Sequence, residues 1–322
     1  LSAALALGAL AFLAACDSAE ERKVSHYENG LEFVAEGEPG KAVIEFTNAL
    51  RIDDAYLPAH EALGDLPPVE VVDDAAADGD TVSIAAGTYT LTINGDNEEA
   101  AATGDLDITD DVIIQGAGAG STILDAGALE RFFDVRSGTV TLSGVTVQNG
   151  DVTAGAQDGG GIRVLSGASL TVDDALFQNN DAGRGGAILS AGTLIVTDTT
   201  FDSNTSTGSG GGVGVTGSGS GTFTNVTFSN NMASVNAGAL GNDGTSTLTL
   251  TNVTISGNTA SNAGAGLGIA STATLQNVTI IDNTAATGGG GIIVSAGTTS
   301  LRNVLASASR IQPTSVTVSA LR

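Results

Sequence analysis

Between Ile113 and Leu305 the chain is written in short alternations of apolar and polar residues. Leu170 and Val172 flank Thr171, Val226 and Phe228 flank Thr227, Leu248 and Leu250 flank Thr249, and Val253 and Ile255 flank Thr254. Alternation over three to five residues predicts a strand with one buried face. No stretch of ten or more residues in this region carries a capped helical period. The strands also recur. Asn180, Asn204, Asn231, Asn258 and Asn283 are spaced by 24, 27, 27 and 25 residues, and three residues before each stands Phe177, Phe201, Phe228, Ile255 or Ile280. Glycine clusters fall between them, as in Gly186-Ala187-Ile188, Gly211-Gly212-Val213, Gly238-Ala239-Leu240 and Gly290-Gly291-Ile292. A strand-only repeat of this length predicts an all-β solenoid, a right-handed parallel β-helix spanning residues 69–308.

Stacked coils explain the residue types. Adjacent parallel strands lie about 4.8 Å apart, so equivalent side chains superpose. Stacked asparagines can bond amide to amide, and asparagine tolerates left-handed backbone. The five asparagines therefore read as a structural ladder. Threonine files (Thr141, Thr171, Thr222, Thr249, Thr274 and Thr146, Thr200, Thr227, Thr254, Thr279) face outward. Threonine arrays also occur in ice-binding solenoids, but Leu176 and Ile195 interrupt these files, and outward threonine is ordinary in strands.

Gly186-Ala187-Ile188 with Phe201-Asp202-Ser203-Asn204, and the F-x-x-N matches at Phe177 to Asn180 and Phe228 to Asn231, resemble the paired motifs of bacterial polymorphic outer-membrane protein repeats. Upstream, Gly79 to Thr92 and Gly104 to Gly127 resemble the opening coils of secreted β-helix proteins of the CSLREA type, without that family's cysteine-bearing motif. Together the two likenesses cover about two thirds of the chain. They imply an envelope or secreted solenoid, often adhesin-like, with no established catalytic role.

The first 15 residues are almost wholly apolar and end in Leu13-Ala14-Ala15-Cys16. That is too short to span a bilayer comfortably and fits the core of a signal peptide. Small residues before the sole cysteine resemble the bacterial lipobox, which makes Cys16 the expected acylated residue and membrane anchor, followed by a linker over 16–24. Localisation then follows as the cell envelope, with the outer membrane or cell surface favoured. Asp17, by likeness to enteric sorting rules, points instead to the periplasmic face of the inner membrane. Residues 25–66 differ in kind. Gly30, Phe33, Gly37, Ala42, Phe46 and Ala49 have the small–large spacing of a tetratricopeptide repeat, and resemble the helical segments of export-system lipoproteins. One such repeat cannot bury its apolar face alone. Three readings stay open: a cap on the solenoid, a partner-docking hairpin, or a junction between reading frames. After residue 308 the pattern fails, since Ser309 stands at the ladder position and 309–322 form an irregular tail.

A net charge of −25 and a pI near 4.1, with no lysine beyond Lys41, exclude nucleic acid as a partner. Many β-helices act on polysaccharides, so catalysis needs weighing. Beyond Glu130 there is no Glu, Lys, His, Tyr, Trp or Cys, which leaves Asp and a few Arg. The candidate catalytic set is Asp173, Asp174 and Asp198 with Arg184, because paired carboxylates can hydrolyse glycosides and clustered Asp with Ca²⁺ and Arg suits a lyase. A solvated acidic edge explains the same residues. The acidic loops carrying Asp96 and Glu98, and Asp107 and Asp110, are candidates for a structural Ca²⁺, and no other cofactor is implied. The leading expectation is a non-catalytic, lipid-anchored surface solenoid whose partner is a host or cell-surface protein or a glycan. The alternatives are a carbohydrate-active β-helix enzyme and an export lipoprotein acting through residues 25–66.

Overall fold

The computed structural model describes residues 19–35, 39–53, 56–65, 80–92, 104–154, 157–306 and 311–313. Cys16, Asp96, Glu98 and Ser309 lie outside the described residues. Two compact units divide at Val72 and Asp73.

The first unit holds three helices, α1 (Ala19–Ala35), α2 (Pro39–Ile52) and α3 (Leu57–Asp65). Helix α1 begins inside the segment read as a linker over 16–24. Glycine at position 30 is what lets α1 meet α2, because a Cβ there would fall 2.4–2.8 Å from the Phe46 ring. Ala42, Phe46, Ala49 and Ala59 are fully buried, with Tyr27 edge-on to Tyr56. Lys23 is buried between Asp53 at 2.7 Å and Glu20 at 2.9 Å, with its ammonium 4.5 Å from the Tyr56 ring centroid. None of the described helices is long and apolar enough to cross a membrane.

The second unit is a parallel β-solenoid. Its coils contribute to three sheets, termed here A, B and C, with 14, 9 and 5 described strands. The alternation set out above is the alternation of burial. In Thr247–Thr251, Leu248 and Leu250 point inward while Thr247 and Thr249 are exposed. Registers are those of true stacking: Thr222 pairs with Ile195 and Thr249, and Phe201 pairs with Phe177 and Phe228. The three phenylalanine rings form a column, with centroids 5.1 and 4.9 Å apart and planes within 18°. Stacked rings of this kind add about 0.5–1.5 kcal/mol per pair to their burial.

The asparagine ladder is present and buried. Oδ1 of Asn204, Asn231, Asn258 and Asn283 each accepts both the backbone N–H and the side-chain N–H of the member one coil back, at 2.9–3.1 Å, while Oδ1 of Asn180, at the start of the file, accepts the Gly150 N–H at 3.0 Å. The other amide hydrogen goes to a main-chain carbonyl: Val147, Phe177, Phe201, Phe228 or Ile255. Left-handed backbone, expected at the ladder itself, is found one residue earlier, at Asn179, Ser203, Asn230, Gly257 and Asp282. The ladder side chain must point into the coil to reach its carbonyl, and the residue before it makes the bend.

Candidate functional site

The candidate carboxylates belong to a corner. Asp173 is an outward residue of sheet A and pairs with Ser143 and Thr197, not with Asp198. Asp174 and Asp198 adopt φ of 47° and 46° and are followed, coil by coil, by Asn225, Asn252, Asn277 and Asn303 at 51–57°. The side chains of this exposed file bond to one another. Asn225 donates to Asp198 at 2.9 Å, and the chain continues through Asn252, Asn277 and Asn303 at 2.8–3.2 Å. Asp198 thus serves as the terminal acceptor of an amide file. Arg184 does not join this corner: its Nε and Nη2 grip Asp158 at 3.0 and 2.7 Å, and its Nη1 lies 3.9 Å from Asp243. The four candidate residues are therefore not brought together.

A charged cluster that the sequence reading missed sits at the N-terminal coils of sheet B. The centre of strand Leu106–Ile108 is Asp107, in register with Asp134, which is in register with Arg163. Arg163 donates from Nε to Asp134 at 2.9 Å, and Arg136 lies 3.4 Å from Asp134 and 3.7 Å from Asp107. Arg131, 2% exposed, lies 3.1 Å from Asp105 and donates to Gln157. Burial raises Asp105 to about 7, partly opposed by Arg131 and reinforced by Asp134, Glu130 and Asp107. Carboxylate oxygens of Asp105, Asp107 and Asp134 approach within 4.8 Å of one another. This geometry alone suits a cation, and three guanidinium groups stand against the same carboxylates: Arg131 at Asp105, Arg136 at Asp107 and Arg163 at Asp134. The side chain of Asp107 thus belongs to a charge network. Asp110 stands apart from it, its Oδ1 accepting the Asp111 N–H at 2.8 Å.

Along the same face of sheet B the central row changes character. After Arg163 it runs Leu189, Gly214, Gly241, Gly268 and Ile293. The three buried glycines line a cavity of about 230 Å³ together with Leu189 and Ala237, whose side chains stand where a Cβ on each glycine would fall. Arg184, Ser209, Thr216, Asn236, Asp243 and Ser295 supply polar groups to its lining. The signal in the sequence was glycine at the centre of an apolar triplet, as in Val213-Gly214-Val215 and Leu267-Gly268-Ile269.

Residues 132–306, just over half of the chain, match the family described as the right handed beta helix region. The chain belongs to that right-handed β-helix family. No curated protein matches this β-helix chain. A solved structure described as "a new PL6 alginate lyase complex with trisaccharide" is similar to it at 17% identity and a TM-score of 0.39, over 71% of this chain and 55% of that one. The β-helix chain thus spans about half the length of that structure.

Proposed function

We propose that this β-helix protein is a non-catalytic component of the bacterial cell envelope, held at a membrane by an acyl group on Cys16 and acting as a passive binding surface. The observation that supports the non-catalytic part is the corner file. Asp174 and Asp198 hold left-handed backbone positions that asparagine fills in the next four coils, so their presence follows from turn geometry. An enzyme of the uronan class would need them to converge with Arg184, which is engaged with Asp158 instead. The outer membrane or cell surface is the favoured location, with the periplasmic face of the inner membrane as the alternative.

The test is incubation of the full chain with alginate, polygalacturonate and neutral glucans, reading unsaturated uronate absorbance and new reducing ends. No turnover is expected. Turnover that disappears in Asp173→Asn or Asp174→Asn would establish the enzyme reading in its place. Separately, Cys16→Ser is expected to move the protein from the membrane to the soluble fraction of cells, and retention there would remove the anchor.

A further inference from the structure

The outward face of sheet A is a lattice of hydroxyls. In strands Thr193–Thr197, Ser220–Thr224 and Thr247–Thr251 and in residues 272–276, the outward positions pair residue for residue from coil to coil and form three parallel files. Nine of these twelve positions are threonine, and the others are Ile195, Ser220 and Gln276. All twelve are exposed or half-buried. Leu176 does not interrupt this block, because it pairs with Thr200, beyond the bend at Asp198. Among the described residues, no threonine hydroxyl of the block bonds to another protein group. The other sheets offer no such surface. The central row of sheet B passes from Asp107 through Leu189 to glycine, and the outward file of sheet C carries Asp181 and Met232.

Resting on the binding-surface reading above, we propose that this threonine face of sheet A binds ice. Coils repeat at about 4.8 Å and alternate residues of a strand at about 6.6 Å, so the hydroxyls sit on a rectangular net roughly 14 by 13 Å in extent. Oxygen atoms on the prism faces of hexagonal ice also repeat on a rectangular net, and its dimensions are similar. Threonine is stiff at χ1, so its hydroxyl and methyl keep fixed places and little side-chain freedom is lost on binding. Water held by the hydroxyls and between the methyls then has a spacing that can join a crystal. Charge points the same way. The chain carries a net −25, yet none of the twelve positions is charged. An ice lattice excludes ions, and a charged face would hold its own hydration shell against the crystal.

Other occupants fit less well. A protein partner is anchored by aromatic residues and arginine, and the block has neither. A second copy would bring the same hydroxyl face and the same −25 charge, and Ile195 is the sole large apolar side chain of the block that it could cover. Strand propensity suits threonine to each position singly and, acting alone, leaves the face merely wet. The measurement below separates that outcome from ice binding.

The experiment is nanolitre osmometry with an ice-recrystallisation assay on the full chain, for wild type, Thr249→Lys, Ile195→Thr and Thr259→Lys. The expected result is a gap between melting and freezing temperatures, with faceted crystals and arrested recrystallisation, that an unrelated globular protein at the same concentration does not give. Thr249→Lys sets a hydrated charge inside the block and should abolish the gap. Ile195→Thr completes the central file and should widen it. Thr259→Lys adds the same charge at an exposed position of sheet C and should leave the gap unchanged. Circular dichroism verifies that each variant is folded, and Ile195→Thr carries the test if Thr249→Lys is not. The proposal is overturned if wild type behaves as the unrelated protein, if Thr249→Lys keeps the full gap, if Ile195→Thr narrows it, or if Thr259→Lys abolishes it too. It also fails if sedimentation shows a dimer that Thr249→Lys dissociates, which would assign the face to a second copy. None of these failures bears on the non-catalytic reading, which turnover alone would sink.

Discussion

Replacing Asn231 by alanine isolates what the buried ladder contributes. The side chain takes part in four hydrogen bonds: it donates to Phe201 O at 3.0 Å and Asn258 Oδ1 at 2.9 Å, and accepts Asn204 N at 3.0 Å and Asn204 Nδ2 at 2.9 Å. Two partners keep other bonds, since Asn204 Nδ2 still reaches Phe177 O and Asn258 Oδ1 still accepts the residue 231 N–H. The Asn204 N–H and the Phe201 carbonyl lose their ladder contact within the core. At about 1–3 kcal/mol for each group left unsatisfied, Asn231→Ala should cost roughly 2–6 kcal/mol. The comparison is Asn252→Gly in the exposed file, where water replaces the lost bonds and glycine suits the φ of 55°. That change should cost about 1 kcal/mol or less. Repeat arrays need not unfold as one unit, so the urea midpoint should be paired with amide hydrogen exchange. Protection of the Asn204 N–H should fall by roughly thirtyfold or more, since about 1.4 kcal/mol is a factor of ten. Equal losses in the two variants would refute the view that burial of the ladder, and not the count of its bonds, sets its value.

Three further changes test separate parts of the molecule. Gly30→Val drives a side chain into the Phe46 ring, and should destabilise the helical unit by about 1–3 kcal/mol, read as lost ellipticity at 222 nm on mild heating. Asp105 has a native pKa near 7, raised by burial from its ordinary 3.8, so the native state holds a proton that the unfolded chain releases. Its contribution is therefore complete below about pH 4 and lost as pH rises towards 7, and Asp105→Asn should flatten that part of the urea midpoint against pH; an unchanged slope would contradict it. Asp198→Asn keeps an acceptor for Asn225 and removes one of two stacked charges, so it should raise the unfolding free energy by a few tenths to about 1 kcal/mol, read as a higher urea midpoint. A lower midpoint would show that the carboxylate has some other partner.

Much of the fold was legible because a solenoid turns long-range order into short-range repetition. The alternation at Leu248-Thr249-Leu250 gave the strand, the 24–27-residue spacing gave the stacking, and F-x-x-N gave both the ring column and the ladder. What could not be read was which of several similar residues occupies which role. Asn230 and Asn231 are adjacent and identical, yet one bends the backbone and the other is buried, a difference set by where the coil turns. Glycine by itself does not say where it sits: Gly186 lies in a bend, where a Cβ would lie 2.1 Å from Gly211 O, whereas Gly214, Gly241 and Gly268 lie in mid-strand. The Asp173–Asp174 pair looked chemical because a pair of neighbouring acids on one strand is also what a corner produces. The Asp105, Arg131, Asp134 and Arg163 network was hidden for a different reason, since its partners lie 26–29 residues apart and no local motif records them.

The distribution of charge follows from the stacking itself. Like charges superposed at about 4.8 Å repel by roughly 3 kcal/mol at an effective dielectric of 20, but by less than about 1 kcal/mol in water. A file of identical acids is therefore costly: at the exposed corner the chain uses two, Asp174 and Asp198, before changing to asparagine, and where Asp151 stacks on the half-buried Asp181, burial and the neighbouring charge raise the pKa of Asp181. In the buried row of sheet B, two successive acids, Asp107 and Asp134, occur only with Arg136 reaching both and Arg163 stacked on the second. Four acids (Asp105, Asp107, Glu130, Asp134) face three arginines (Arg131, Arg136, Arg163), and the proton held by Asp105 near neutral pH balances the remainder. The same rule explains why so acidic a chain builds its outward sheet files from threonine and serine. Each file position is repeated in every coil, so a charge placed there would be multiplied, whereas a charge in a loop is not.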